Sequence, residues 1–267
     1  MTTRPHGRNA NRHFGEGIFR RRLRLIAEAG QVRAGLEDTN HAMRLVLRHD
    51  GERVTDVAPR MTRIPISTCP GAAGPLRAFV GLPLAPYPLR SSAVVSARAN
   101  CTHLHHLTLL AMAHALRGGV REYDIEVPDE HPAPVWASVR RDGVEIHRWR
   151  TFEGSIVGPD ELAGLPLSAG IARWAAERFE GDALEAAFVF ANAYVVSFSR
   201  RYEVNAYAGQ RAAVYGQMSG KCYGYQPEVV SHGGVYFPNS IDTTPPETRL
   251  LADFDQPPTQ GAASWKN

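Results

Sequence analysis

The sequence predicts an α+β fold in which antiparallel sheets carry helices on one face and two halves share the same architecture. Three observations support this prediction. Apolar residues alternate with charged residues in several short segments, as is typical of half-buried strands. Asp-Gly pairs at Asp50 and Asp142 separate such segments, and this dipeptide is a strong hairpin signal. The segments 100–115 and 183–200 have the apolar composition of buried helices.

The first half begins with a predicted four-stranded antiparallel meander. Residues 20–38 alternate in polarity and turn at Gly30, which predicts two strands. Residues 41–59 form the Asp50 hairpin, and Arg44 alternates there with apolar neighbours. One face of this sheet is therefore expected to contact water, while the other faces the core.

The segment Asn100–Ala115 is the predicted central helix. It places three of the eleven histidines and one of the three cysteines within residues 101–106. Asn100 or Thr102 is expected to cap it, because a side-chain oxygen there can accept a hydrogen bond from an unpaired backbone N–H. Its apolar stripe comprises Leu104, Leu107, Ala111 and Ala115. A polar helix start within an apolar interior is a favourable setting for perturbed, functional groups.

The second half repeats this plan without a residue-level repeat. Residues 120–127 and the Asp142 hairpin predict further strands. Ser168 is expected to cap a helix that runs to Phe179, and Asp182 to cap the longest helix, which ends near Arg200. The predicted organisation is a flexible arm over 1–17, a single compact α+β domain over 18–240 with halves at about 18–118 and 119–240, and a Pro-rich tail over 241–267.

Composition excludes several classes of protein. The net charge of +3 is small and the arginines are dispersed, so we expect no nucleic-acid partner. No run of eighteen apolar residues is present and the N-terminus lacks the apolar core of a secretory signal, so we expect a cytoplasmic protein without a membrane partner. Three cysteines without C-x-x-C spacing fit reduced thiols. The arm and the tail are compatible with a homodimer.

Two motifs resemble a known family. A short predicted helix begins at Cys69-Pro70 and ends in Val80-Gly81-Leu82, and C-T-H-L opens the central helix at Cys101. Over about residues 20–117 the chain resembles a bacterial domain-of-unknown-function family with these two signatures, in a longer subgroup. Asn100 stands where that family usually has Gly. The resemblance implies a role near aromatic or acyl-thioester catabolism. The chain also has a weaker similarity to cofactor-independent decarboxylases that act on phenylcoumaran acids.

His103 is the predicted acid–base residue. Near a helix start the dipole disfavours imidazolium, so His103 should remain neutral and able to accept or donate a proton. Thr102 and Asn100 are expected to support it, with Tyr223 as a second catalytic group. The predicted substrate-binding residues are Asn100, Arg44, Tyr225 and His106, with an arginine holding a substrate carboxylate.

Two alternatives use the same helix start. Cys101 could be a nucleophile, because a helix N-terminus lowers a thiol pKa. Cys101, His103, His105 and His106 are all possible metal ligands, but helical spacing separates them, and we predict no metal site.

The predicted function is that of a cofactor-independent lyase, most plausibly a decarboxylase, acting on an aromatic carboxylic acid of the phenolic, lignin type. One alternative is a non-catalytic binding or accessory protein for an aromatic or acyl ligand. The other is a metal-dependent hydrolase that uses the Cys/His cluster. An apolar pocket with a few polar groups would serve any of these functions.

Overall fold

The computed structural model describes residues 9–86, 94–168, 170–214 and 216–254, with the side chain of Val214 left out. The beginning of the predicted arm, residues 1–8, and the end of the predicted tail, residues 255–267, lie outside the described residues. Within the described residues no helix is long and apolar enough to cross a membrane.

Eight strands of the described residues form one open antiparallel sheet, so the predicted α+β class is confirmed. The sheet has the order β4-β3-β2-β1-β5-β6-β7-β8. Its strands are β1 Ile18–Glu28, β2 Gln31–Glu37, β3 Ala42–His49, β4 Val54–Arg63, β5 Gly119–Pro128, β6 Val135–Arg141, β7 Val144–Phe152 and β8 Ser155–Gly158. Each half contributes four consecutive strands, and the halves join where β1 pairs with β5, with Leu23 opposite Tyr123.

Four α-helices are present in the described residues. They are α1 Thr102–Ala115, α2 Ile171–Ala176, α3 Gly181–Ser197 and α4 Pro227–Val230. The remaining helical turns are 3₁₀ helices at Cys69–Ala73, Pro75–Phe79, Asp160–Leu162, Phe198–Arg201, Val204–Tyr207, Ala212–Val214, Gly216–Met218 and Tyr223–Tyr225. The longest helices follow equivalent strands, because α1 comes after β4 and α3 comes after β8.

The core lies between the sheet and these two helices. Along β1, Phe19, Leu23 and Leu25 are buried and alternate with partly exposed arginines. Full burial of such a side chain stabilises the fold by about 1.5–3 kcal/mol. The helix α1 packs on β1, β2 and β3, whereas α3 packs on β5, β6 and β7. Arg21, on the core-facing side of β1, contacts both helices, so they cover the same face of the sheet.

The opposite face of the sheet is charged and partly covered by the C-terminal segment. Arg22 and Asp124 form an ion pair across β1 and β5 at 2.7 Å. The ring of Phe254 lies over Gly35, where an added Cβ would come within 2.8 Å of that ring. Phe254 and Thr243 are buried. The described part of the predicted tail therefore packs against the sheet.

Helix boundaries depart from the sequence prediction in three places in this part of the fold. The predicted cap at Asp182 is wrong, because α3 begins at Gly181 with Glu180 at the N-cap position and without a side-chain cap. The predicted C-P helix is two 3₁₀ turns that meet at Gly74 and Pro75, because proline lacks an N–H donor and glycine disfavours a continuous helix. The predicted cap at Ser168 is wrong: α2 follows Gly170, whose φ of 75° is readily adopted by glycine, and it ends at Ala176.

Candidate active site

The start of α1 is ordered differently from the prediction. Cys101 occupies the N-cap position in an extended conformation and no side chain caps the helix. The Asn100 side chain instead donates from Nδ2 to the Ser96 carbonyl at 2.9 Å, and the backbone carbonyl of Asn100 accepts a hydrogen bond from the Tyr223 amide at 2.9 Å. Capping by Asn100 or Thr102 is therefore wrong, because the Asn100 amide is committed to the preceding turn and Thr102 is already helical.

His103 lies in a buried cluster of four polar side chains from three elements. The others are Arg21 on β1, and Asp38 and His41 in the turn between β2 and β3. The imidazole rings of His41 and His103 are stacked, with centroids 3.9 Å apart and planes inclined by 29°. All four residues are at most 8% exposed. We call Arg21, Asp38, His41 and His103 the histidine-pair cluster.

Asp38 connects the cluster. Its Oδ1 atom accepts hydrogen bonds from the backbone amides of Asn40 and His41 and from Nδ1 of His41 at 3.0 Å. Its Oδ2 atom accepts from Nε and Nη2 of Arg21 at 2.9 and 2.6 Å. A carboxylate that both accepts backbone N–H bonds and pairs with a guanidinium is held as an anion.

Arg21 connects the cluster to both long helices. Its Nη1 atom donates to Oδ1 of Asn192 on α3 at 2.7 Å, and its Nη2 atom lies 3.2 Å from Nε2 of His103 on α1. Because a guanidinium is only a donor, Nε2 of His103 must be the acceptor. A neutral His103 then carries its proton on Nδ1.

The same reasoning fixes the proton of His41. The Asp38 carboxylate can only accept, so Nδ1 of His41 donates. In a neutral His41 the Nε2 atom is therefore a free acceptor, and it has no hydrogen-bond partner among the described residues. The stacked pair thus combines an acceptor on His41 with an N–H donor on His103.

Burial and neighbouring charges set the ionisation of the cluster. Burial lowers the pKa of His103 well below its ordinary value, and the nearby His41 and Arg21 lower it further, against the opposing effect of Asp38. For Asp38, burial raises the pKa, but Arg21 and His41 together lower it far below its ordinary value. His103 is therefore neutral, as predicted, although burial rather than the helix dipole is the main cause.

The structure brings together a different set of possible metal ligands from the set named in the sequence analysis. One ligand atom from each of Asp38, His41 and His103 lies within 4.8 Å of the others. However, Arg21 already bonds Asp38 and His103, and its positive charge would repel a metal ion. His105 points elsewhere, because its Nε2 donates to the Val95 carbonyl at 2.8 Å.

The nucleophilic alternative for Cys101 is disfavoured. Burial raises the pKa of the Cys101 thiol to about 11, although the backbone amides of Leu104 and His103 oppose this effect. A thiol with such a pKa contributes little thiolate at neutral pH. The helix start therefore does not activate Cys101.

Apart from His106, the other predicted site residues lie in three separate places. Asn100 and Thr102 flank Cys101 at the start of α1, where Tyr223 donates its backbone amide to the Asn100 carbonyl and its ring lies against Gly71. Tyr225 donates to the hydroxyl of Tyr236 at 3.0 Å in a separate small apolar cluster. Arg44 is paired with Glu37 and Asp253, and its position on β3 places it on the opposite face of the sheet from Met43.

His106 lies near the histidine-pair cluster. It is 8% exposed, and neither of its ring nitrogens has a hydrogen-bond partner among the described residues. Burial lowers the pKa of His106 to about 3, and the charge of Arg21 contributes to this shift. Two unpaired ring nitrogens in the interior are unfavourable, and an incoming polar ligand would satisfy them.

The sequence prediction did not include Arg21, Asp38 or His41 in the candidate acid–base site. The alternation along β1 gives one sequence signal for a buried Arg21. Phe19, Leu23 and Leu25 share the core-facing side of β1, and Arg21 occupies the same side. A charged residue at a core-facing strand position requires a buried partner of opposite charge.

Fold and cluster define an α+β protein with a buried cluster of charged and titratable side chains. Residues 24–117 match the model of a bacterial family described as "Protein of unknown function (DUF2889)". This match confirms the resemblance predicted from the sequence, and it extends from β1 to just beyond α1, including Asp38, His41 and His103. A search of curated proteins and a search of solved structures each found no match.

Proposed function

We propose that the chain is a cofactor-independent lyase that uses the stacked His41–His103 pair for acid–base chemistry. The reaction we propose is the decarboxylation of an aromatic carboxylic acid of the phenolic, lignin type. The observation that supports this proposal is the hydrogen-bond pattern of the pair, in which Asp38 holds Nδ1 of His41 and Arg21 holds Nε2 of His103. An acceptor and a donor are thereby offered by two adjacent rings.

His41 is the proposed general base. Its Nε2 atom would take the proton of the substrate phenol, and the Asp38 carboxylate would orient the ring and stabilise the imidazolium that forms. His103 is the proposed hydrogen-bond donor. A neutral imidazole whose pKa is lowered can donate through Nδ1–H to a developing phenolate without itself losing the proton.

The proposed reaction balances with the two histidines and one proton from water. His41 passes the phenol proton to the carbon that carries the carboxylate, and the phenolate electrons form that C–H bond through a quinonoid intermediate. The C–C bond to the carboxylate then breaks, CO₂ leaves, and the bonding electron pair restores the phenolate, which regains a proton from water. Removal of the carboxylate from water would favour the loss of CO₂.

A metal-dependent hydrolase is the second candidate, because Asp38, His41 and His103 offer ligand atoms within 4.8 Å of one another. This candidate requires Arg21 to release both Asp38 and His103. It predicts that purified protein contains a stoichiometric metal and that a chelator abolishes its activity. The decarboxylase proposal predicts that a chelator has no effect.

The test measures CO₂ release from a panel of phenolic carboxylic acids. His103→Ala and His41→Ala should each lower turnover by about 10²–10⁴-fold, which is the usual contribution of a positioned acid–base group. His147→Ala is the matched control, because His147 is also buried but donates from Nε2 to the Ala183 carbonyl. This control should retain turnover if the protein is folded.

Two results would contradict the proposal. Full turnover in folded His103→Ala protein would remove His103 from the mechanism. A panel in which no acid is consumed, while some acids raise the melting temperature, would favour a non-catalytic binding protein.

A further inference from the structure

A second polar site lies away from the histidine pair. A cavity of about 300 Å³ is bordered by Arg44 on β3, Arg63 at the end of β4, and Arg249 and Asp253 of the C-terminal segment. Arg44 belongs to the side of β3 opposite the buried Met43, so the cavity faces away from α1. The histidine-pair cluster contributes no residue to its lining.

The lining of this cavity has an excess of positive charge. Three guanidinium groups, from Arg44, Arg63 and Arg249, face two carboxylates, from Glu37 and Asp253. Arg249 is exposed and has no hydrogen-bond or ion-pair partner among the described residues. Its five N–H donors are therefore available to a ligand.

Glu37 fixes the other two arginines in place. Its Oε1 atom accepts from Nη2 of Arg63 at 2.7 Å, and its Oε2 atom lies 3.6 Å from Nη2 of Arg44. Oε2 also accepts from the backbone amide of Leu251 at 2.7 Å, which attaches the C-terminal segment to the sheet. Arg44 and Arg63 are held by these contacts before any ligand arrives, and such preorganisation lowers the entropy lost on binding.

We propose that this cavity binds the oxyanion group of a small organic molecule, a carboxylate or a phosphate ester. Arg249 supplies the unpaired guanidinium, which can hold either group through two parallel hydrogen bonds. The volume is at the lower end of the range for ligand pockets and exceeds the size of a bare inorganic ion. This inference goes beyond the proposed function and does not depend on it.

Titration calorimetry at constant ionic strength tests the proposal. The probes are benzoate, phenyl phosphate and inorganic phosphate, with benzamide as the uncharged comparison. We expect saturable binding of at least one organic oxyanion in the millimolar range or tighter, and the two organic probes distinguish a carboxylate from a phosphate ligand. Arg249→Gln should weaken that binding by about tenfold or more, which is the loss of one charge-assisted contact.

Arg150→Gln is the matched control, because Arg150 is exposed on β7 and does not border the cavity. Its affinity for the probes should equal that of the wild type. Absence of saturable binding, equal binding of benzamide, or equal affinity in Arg249→Gln and wild type would each overturn the proposal. His103→Ala should bind the oxyanion normally, so failure of the proposed catalysis would be seen separately.

Discussion

The two halves of the sheet carry different interiors on the same architecture. Beneath α1, a salt-bridged Arg21 and Asp38 surround two stacked imidazoles. Beneath α3 lie aromatic rings. The ring centroid of Trp149 is 4.9 Å from that of Phe190 and 5.7 Å from that of Trp174. The paired charges of the first interior lie together with its histidines, whereas the aromatic part of the second interior need only be shielded from water. The buried carboxylate of the second half, Glu185 on α3, is paired separately with Arg117 and Arg121.

The histidines of the two halves illustrate this difference. His147 packs between Trp149 and Phe179 and donates from Nε2 to the Ala183 carbonyl. Its ring therefore contributes to core packing and forms one hydrogen bond. His103 is held as an acceptor by a charged donor, Arg21, and stacks on another histidine. Burial alone therefore does not distinguish these two histidines, but the nature of their hydrogen-bond partners does.

The largest effect expected concerns Arg21. Arg21→Met should lower the free energy of unfolding by about 3–5 kcal/mol, because the Asp38 carboxylate would remain buried without its partner. Urea denaturation measures this value. Arg22→Met, on the same strand but in a partly exposed ion pair with Asp124, should lower it by less than about 1 kcal/mol. Equal effects of the two variants would contradict the view that the interior beneath α1 contains charges that must remain paired.

A smaller effect concerns pH and His106. Burial lowers the pKa of His106 in the folded protein to about 3, whereas in the unfolded chain it is about 6.5. The unfolded state therefore binds more protons below pH ~6.5, and stability falls as pH decreases through that value towards 3. His106 should contribute about 1.4 kcal/mol of this loss per pH unit.

His106→Leu isolates this contribution from those of the other buried histidines. The variant should be at least as stable as the wild type at pH 7, because two unpaired nitrogens are removed, and its stability should decrease less steeply with acid. Met112→Leu is the control, since Met112 is buried on the same helix and has no titratable group, and its slope should equal that of the wild type. An unchanged slope in His106→Leu would show that His106 is not buried as a neutral ring.

Much of the fold could be predicted from local patterns. Alternation along β1 and β3 and the Asp-Gly turns at Asp50 and Asp142 give strands and hairpins, because their signals lie within a few residues. The pairing of β1 with β5, which joins the halves into one sheet, was not predicted. That pairing joins strands separated by an entire helix, and no local pattern specifies it.

The site could be predicted in part for the same reason. His103 was identified because its helix start concentrates histidines, whereas Asp38 and His41 resembled residues of an ordinary turn. Asp38 contacts Arg21, His41 stacks on His103, and the Arg21–His103 contact spans 82 residues of sequence. All three contacts depend on the sheet that brings these residues together. The histidines at the start of α1 therefore indicated a candidate site. Its hydrogen-bond partners come from other elements and could be identified only from the tertiary fold.

The ring nitrogen that carries the proton tests the central claim most directly. Long-range ¹H–¹⁵N correlation spectra at pH 7, assigned with His103→Ala and His147→Ala proteins, report the tautomer of each ring. The hydrogen bonds predict a neutral His103 with its proton on Nδ1, and His147 with its proton on Nε2. A His103 that is doubly protonated, or that carries its proton on Nε2, would contradict the acid–base pair proposed for this protein.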